Sequence, residues 1–122
     1  MRGGDRTELG LCGEKQAARY LKRRGYRVLD TRFRCREGEI DLIASQGPYL
    51  CFVEVKLRKD ASLAQAREFV TPAKQRKVRT AALHYLMEHP TVLQPRFDVV
   101  EVYAPQGETT RKPEIHHWEN AF

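Results

Sequence analysis

Apolar positions in this chain follow two rhythms that alternate from segment to segment. From Thr7 to Arg24, Leu9, Leu11, Ala17, Ala18, Tyr20 and Leu21 recur at helical spacing, and Gly25 follows as a stop that can turn left-handed, so the spacing predicts a first helix. Tyr26 to Arg34 then alternates as a strand, Glu37-Gly38 reads as a tight turn, and Glu39 to Ala44 reads as a second strand. Gln46-Gly47-Pro48 is a second turn into a third strand, Tyr49 to Leu57, which makes a three-stranded meander. Arg58 to Phe69 is a mixed, charged connection with some helical character from Leu63 to Phe69. Thr71-Pro72 starts a second helix, with Thr as N-cap and Pro at the first helical position, and Val78, Ala81, Ala82, Leu83, Tyr85 and Leu86 mark its apolar side up to His89-Pro90. Arg96 to Tyr103 is a fourth strand, and Ile115 to Trp118 a short fifth.

The order αβββαβ(β), with hairpin-length links and one crossover helix, predicts an α/β fold with a mixed central sheet flanked by helices and one face open for chemistry. Along the third strand Leu50, Phe52, Glu54 and Lys56 share one face, while Cys51, Val53, Val55 and Leu57 share the other and form core. The first set begins apolar and turns ionic, as expected of a strand leaving the core for a polar cleft.

The 122 residues suit one domain spanning 1–122, able to bury about 65% of the unfolded chain's surface. With 41% hydrophobic and 31% charged residues the composition is far from that of a disordered chain. No apolar run reaches the ~20 residues of a membrane span and Met1-Arg2-Gly3-Gly4-Asp5 lacks the apolar stretch of a secretion signal, so a cytoplasmic protein is expected. Cys12, Cys35 and Cys51 are odd in number and share no metal-ligand spacing, which indicates neither a disulfide framework nor a zinc site. Net charge is +6, and residues 19–36 alone hold eight basic side chains against Asp30, a local +7 that leaves −1 for the rest. Such a field attracts polyanions in a salt-sensitive, sequence-independent way, with Arg32, Arg34 and Arg36 as candidate backbone contacts. A solvated helix end and strand face is the competing reading.

Lone carboxylates inside strand-like runs carry the chemistry. Asp41 stands between Ile40 and Leu42, and thirteen residues later Glu54-Val55-Lys56 follows Phe52-Val53. A buried carboxylate is costly unless paired or bound to a cation. If the two strand ends converge, Asp41 and Glu54 supply two hard oxygen ligands, enough for magnesium, which normally takes one or two carboxylates and completes its shell with water and phosphate. Lys56 beside them would orient a nucleophile and balance charge building on phosphorus. Which strand ends meet depends on register, which the sequence leaves open. Lys74 and Gln75 fall in the first turn of the second helix, where the macrodipole disfavours lysine; a phosphate docked there would resolve the conflict. Asp98 is expected to pair with a nearby arginine. His116 and His117 point to opposite faces of a strand and do not chelate together. Trp118, Phe33 and Phe122 are candidates for base stacking or for packing.

Gly13-Glu14 with Ala17 and Ala18, Gly25, Gly38-Glu39-Ile40-Asp41-Leu42-Ile43, Phe52-Val53-Glu54-Val55-Lys56, Lys74-Gln75 and Arg96-Phe97-Asp98-Val99-Val100 together resemble the YraN family, small bacterial proteins similar to archaeal Holliday-junction resolvases. The resemblance runs over nearly the whole chain. It implies a restriction-endonuclease-like core and that superfamily's metal site, at Asp41, Glu54 and Lys56, with magnesium or manganese as cofactor. It also suggests Glu14 as an outer metal or water ligand; from the residues alone, Glu14 lies one turn from Leu11 and Ala18, and an exposed helix glutamate is the competing reading. Ile40 stands where the superfamily usually has Pro, and Arg32 where the family more often has Asn. The function implied is a divalent-metal-dependent endonuclease acting on DNA, with branched or damaged DNA as candidate substrates. A non-catalytic nucleic-acid-binding module on the same fold is the alternative, and a basic surface for an acidic partner protein a third. A domain this small covers little of a DNA junction, so a symmetric homodimer suits the geometry.

Overall fold

A computed structural model of the chain describes residues 8–58, 70–104 and 112–122. Helix α1 (Glu8–Arg23) is followed by strands β1 (Arg27–Cys35), β2 (Gly38–Gln46) and β3 (Tyr49–Arg58), then helix α2 (Pro72–Glu88) and strands β4 (Gln94–Tyr103) and β5 (Glu114–Trp118). The five strands lie in one sheet in chain order. Every neighbouring pair is antiparallel except β3 and β4, which run parallel. A parallel pair cannot be joined by a hairpin, and α2 lies in the connection between them. The predicted helical character at 63–69 lies outside the described residues.

Local chemistry sets the ends of these elements. After α1, Gly25 takes φ +90, its N–H reaches the Lys22 carbonyl at 3.1 Å, and the Tyr26 N–H reaches that of Leu21 at 3.0 Å. That crossed pair of bonds is the Schellman closure, completed by apolar contact between Tyr26 and Leu21 within the same core. At the start of α2 the Thr71 hydroxyl accepts from the Lys74 N–H at 3.2 Å, with Pro72 next. The β1–β2 turn proper is Arg36-Glu37, one residue earlier than the sequence suggested, because Gly38 already pairs with Cys35.

Two cores result, one on each side of the sheet. Ala17 and Leu21 of α1 cover Leu42, Ala44, Cys51, Val53, Val100 and Val102. On the opposite face Val78, Ala81, Ala82 and Tyr85 of α2 cover Ile40, Ile43, Leu50 and Phe52. The expectation of an open sheet face is therefore corrected: Phe52 is fully buried under α2, as Val53 is under α1. Side chains of this size each gain about 1.5–3 kcal/mol from such burial, which explains why both faces are covered. Leu83, assigned to the apolar side of α2, is 62% exposed, so the buried stripe is narrower than the spacing implied. Phe33 packs edge-on against Tyr85 at 5.2 Å, and Phe122 lies 5.4 Å from Phe97, so both serve packing. Among the described residues no helix is long and apolar enough to cross a membrane.

Candidate functional site

The polar cleft forms where β2 and β3 part. Their ladder runs from Gln46↔Tyr49 at the hairpin to Leu42↔Val53 and stops there. Asp41 and Glu54 are the next residues on the two strands, so the register sets them opposite each other just beyond the last pair. Instead of continuing the ladder, the Asp41 carboxylate (Oδ2) accepts the Val55 N–H at 2.8 Å. A side chain takes the place of a backbone carbonyl, and both acids remain at the site of divergence. The meeting that the sequence left to register thus occurs.

Alternation along β3 sends Glu54 to the α2 side with Leu50 and Phe52, and α2 answers it. Lys74 Nζ lies 3.3 Å from Glu54 Oε1. A lysine in a first helical turn with no acidic residue is electrostatically awkward, and here a carboxylate from the neighbouring strand compensates it. Gln75 turns elsewhere, donating from Nε2 to the Val70 carbonyl at 2.9 Å and fastening the entry to α2. Lys56, two residues beyond Glu54 on the same face, is half-buried and stands beside Glu101 in the β3–β4 register.

Glu54 is the group under most stress. It is 5% exposed, and among the described residues its Oε2 is the buried side-chain oxygen without a hydrogen-bond partner. Burial first, and the Asp41 charge second, push its carboxyl up to about 8 from the ordinary 4.5, against the opposing pull of Lys74 and of the Asp41 backbone N–H. At Glu54 the nearby ammonium does not offset burial and the neighbouring charge. The spare oxygen and the facing Asp41 fit a hard divalent cation, for which two carboxylates suffice. Among the described residues Glu14 does not join them as a third ligand within direct reach.

Glu14 is nevertheless buried, at 7% exposure, against the reading of an exposed helix glutamate. Its Oε1 lies 3.9 Å from Nε of Arg32. The β1–β2 register brackets Arg32 opposite Asp41, between Thr31↔Leu42 and Phe33↔Ile40, which puts the Glu14–Arg32 pair at the next strand over from the cleft. Arg32 holds φ +52, a left-handed conformation uncommon for any residue but Gly and Asn, and β1 also bulges between Val28 and Asp30. Arg34 pairs with Glu39 across the hairpin at 3.1 Å, and Arg36 is exposed in the turn. Arg32 and Arg34 thus lie on the outer strand of the sheet and Arg36 in the turn that follows it, with Arg32 opposite Asp41.

Two buried ionic clusters support this frame. Glu101, 1% exposed, accepts from Arg58 (2.8 Å), Trp118 Nε1 (2.9 Å) and the Tyr103 hydroxyl (3.1 Å), so both of its oxygens are satisfied. The sequence reading passed over Glu101, though a lone acid between Val100 and Val102 is the same signal that marked Asp41. On the α1 side, Asp98 receives a two-pronged bond from Arg96 (2.9 and 2.8 Å), as expected, plus bonds with His117 Nε2 (2.8 Å) and the Asn120 N–H (3.0 Å). Burial alone would raise the Asp98 carboxyl, but the bonds from His117, Arg96 and Asn120 outweigh it and hold it below 3.8. His117 is thus buried while His116 faces solvent, in line with their expected opposition.

Comparison with known proteins adds relatives of similar length. The chain is 42% identical over 113 residues to a UPF0102 protein of Renibacterium salmoninarum, covering 92% of this chain and 93% of that one. It is 43% identical over 115 residues to one from Geobacter sulfurreducens, covering 93% and 88% of the two chains. With one from Caldanaerobacter subterraneus subsp. tengcongensis the identity is 40% over 124 residues and spans both chains completely. The model of the uncharacterised protein family UPF0102, which is the YraN family of the resemblance, matches residues 13–102, and with them Glu14, Arg32, Asp41, Glu54, Lys56 and Lys74. The chain belongs to the family UPF0102.

Proposed function

We propose that the chain is a divalent-metal-dependent nuclease of restriction-endonuclease-like fold, acting on DNA through the cleft between β2 and β3. The order of α1, a three-stranded meander, crossover helix α2 and parallel β4 supports the fold reading. The observation that carries the activity is the buried Glu54 oxygen without a hydrogen-bond partner, set opposite Asp41. Natural interiors seldom leave such an atom unsatisfied, and a ligand is one standard reason for it.

Asp41 and Glu54 would hold magnesium or manganese, which supplies a Lewis acid for a phosphodiester oxygen and makes neighbouring water more acidic. Asp41 is fixed for this by its bond to the Val55 N–H, so its remaining oxygen is aimed by the backbone. Lys56 provides a positive charge on the Glu54 face, suited to orienting an attacking water and stabilising charge on phosphorus. Lys74 favours the ionised form of Glu54 without overcoming its burial, and lies at the N-terminus of α2, where a DNA phosphate is also favoured. The basic residues from Arg19 to Arg36 supply sequence-independent attraction to the DNA backbone.

Incubation with labelled linear, nicked and four-way-junction DNA in magnesium or manganese, beside Asp41→Asn and Lys56→Ala, tests the reading. Metal-dependent cleavage should fall by about a hundredfold or more in both variants. Cleavage that survives either substitution belongs to a contaminant or another site. Binding without cleavage, weakening steeply with salt, assigns the chain to the non-catalytic binding class instead.

A further inference from the structure

The tip of the β1–β2 hairpin meets α2 at a place that shares no side chain with the cleft. Cys35 ends β1, Glu37 occupies the turn, and His84 projects from α2; Cys35 Sγ, a Glu37 carboxylate oxygen and a His84 ring nitrogen all lie within 4.8 Å of one another. Glu37 Oε1 and His84 Nε2 are already 2.9 Å apart. We propose that Cys35, Glu37 and His84 form a zinc site that clips the hairpin to the helix.

The donor set argues for the metal. Thiolate, imidazole and carboxylate are the three ordinary zinc donors, at about 2.0–2.3 Å, and around a tetrahedral ion such donors stand roughly 3.3–3.8 Å apart. Small rotations close the present set to that spacing. Glu37 is exposed and Cys35 and His84 are half-buried, so the side chains have room to turn. A soft thiolate with an imidazole selects zinc over magnesium, whereas the all-oxygen pair Asp41 and Glu54 has the opposite preference.

The scaffold argues for the site being preformed. A Cβ built on Gly38 would stand 3.2 Å from the Lys77 carbonyl oxygen, so the hairpin backbone lies directly against α2 two turns before His84. Phe33 and Tyr85, in edge contact, flank the ligands on both elements. Two docked elements therefore supply all three ligands, and the remaining position is left to water. Sequence spacing could not reveal the site, because Cys35 and Glu37 meet His84 only through tertiary packing. This inference does not depend on nuclease activity.

The test uses the full chain, stripped with chelator and kept reduced. Zinc titrated in competition with a chromophoric chelator should show one ion bound per chain, and cobalt in its place should give thiolate-to-metal charge-transfer absorption. His84→Ala and Cys35→Ser should weaken zinc binding by more than about tenfold and abolish the charge-transfer band, while Asp41→Asn leaves both intact. Glu37→Gln, in an exposed turn, keeps the fold and should weaken zinc likewise. Failure to compete for zinc, a cobalt spectrum without the thiolate band, or binding lost in Asp41→Asn but kept in Cys35→Ser would overturn the proposal.

Discussion

Glu54→Gln removes an ionisable group from a position only 5% exposed while keeping its size. In the folded chain the carboxyl titrates at about 8, against an ordinary 4.5 that also describes the unfolded chain. Between those values the folded state binds a proton that the unfolded state has released. A raised folded-state value means that the group's contribution is fully present below 4.5 and is lost as pH rises through about 8. At 1.36 kcal/mol per unit the total loss is about 5 kcal/mol, approached at about 1.4 kcal/mol per pH unit inside the window. Denaturant unfolding of both proteins in EDTA, at about pH 5, 7 and 9, isolates this term, because groups common to the two cancel in the difference. The glutamine variant should gain on the parent by several kcal/mol from the acid to the alkaline end. Added manganese should then restore the parent at high pH, by about 2.7 kcal/mol at a hundredfold excess over Kd, and leave the variant unchanged. A difference that stays flat with pH would refute the account of Glu54 as a strained, buried acid.

Asp98→Asn should destabilise the chain by about 3–5 kcal/mol at neutral pH, since it strips the buried Arg96 of its charge partner. Because the Asp98 carboxyl is held below its usual range, its contribution is present above 3.8 and disappears as pH falls through the depressed value, so the gap between the two proteins should narrow in acid unfolding curves. Lys74→Ala removes the ammonium at 3.3 Å from Glu54; calorimetry should show manganese binding no weaker, while DNA binding weakens with a salt slope smaller by about one. Gly25→Ala puts a side chain at φ +90 and should cost about 1–2 kcal/mol, read as a lowered Tm.

Much of the fold was legible because local signals agreed. Thr71-Pro72 names its own helix start, Gly25 its helix stop, and Gly47, ahead of Pro48, takes the positive φ that a two-residue hairpin turn requires at its first position. Alternation told correctly which residues share a face of β3, but not what covers that face. The apolar start of that face, Leu50 and Phe52, lies in core as its pattern implies, but the helix that covers it is α2, carried over by the crossover. That outcome belongs to topology, which no periodicity encodes. The acids of the cleft announced themselves as charges inside apolar runs. Their partners did not: Lys74 reaches Glu54 only after the crossover returns, and Arg32 comes opposite Asp41 only through a register altered by a bulge. Glu14 looked ordinary because its burial depends on Arg32 and the sheet beneath it.

The irregular course of β1 bears on how copies of the chain can associate. Among the described residues β1 is the outermost strand, and its bulge, the left-handed turn at Arg32 and the exposed Arg27 and Arg34 make that margin crooked and positively charged. Such features discourage one molecule from extending another's sheet. At the far margin β5 is only five residues long. At both described margins, then, the geometry disfavours one copy extending another's sheet.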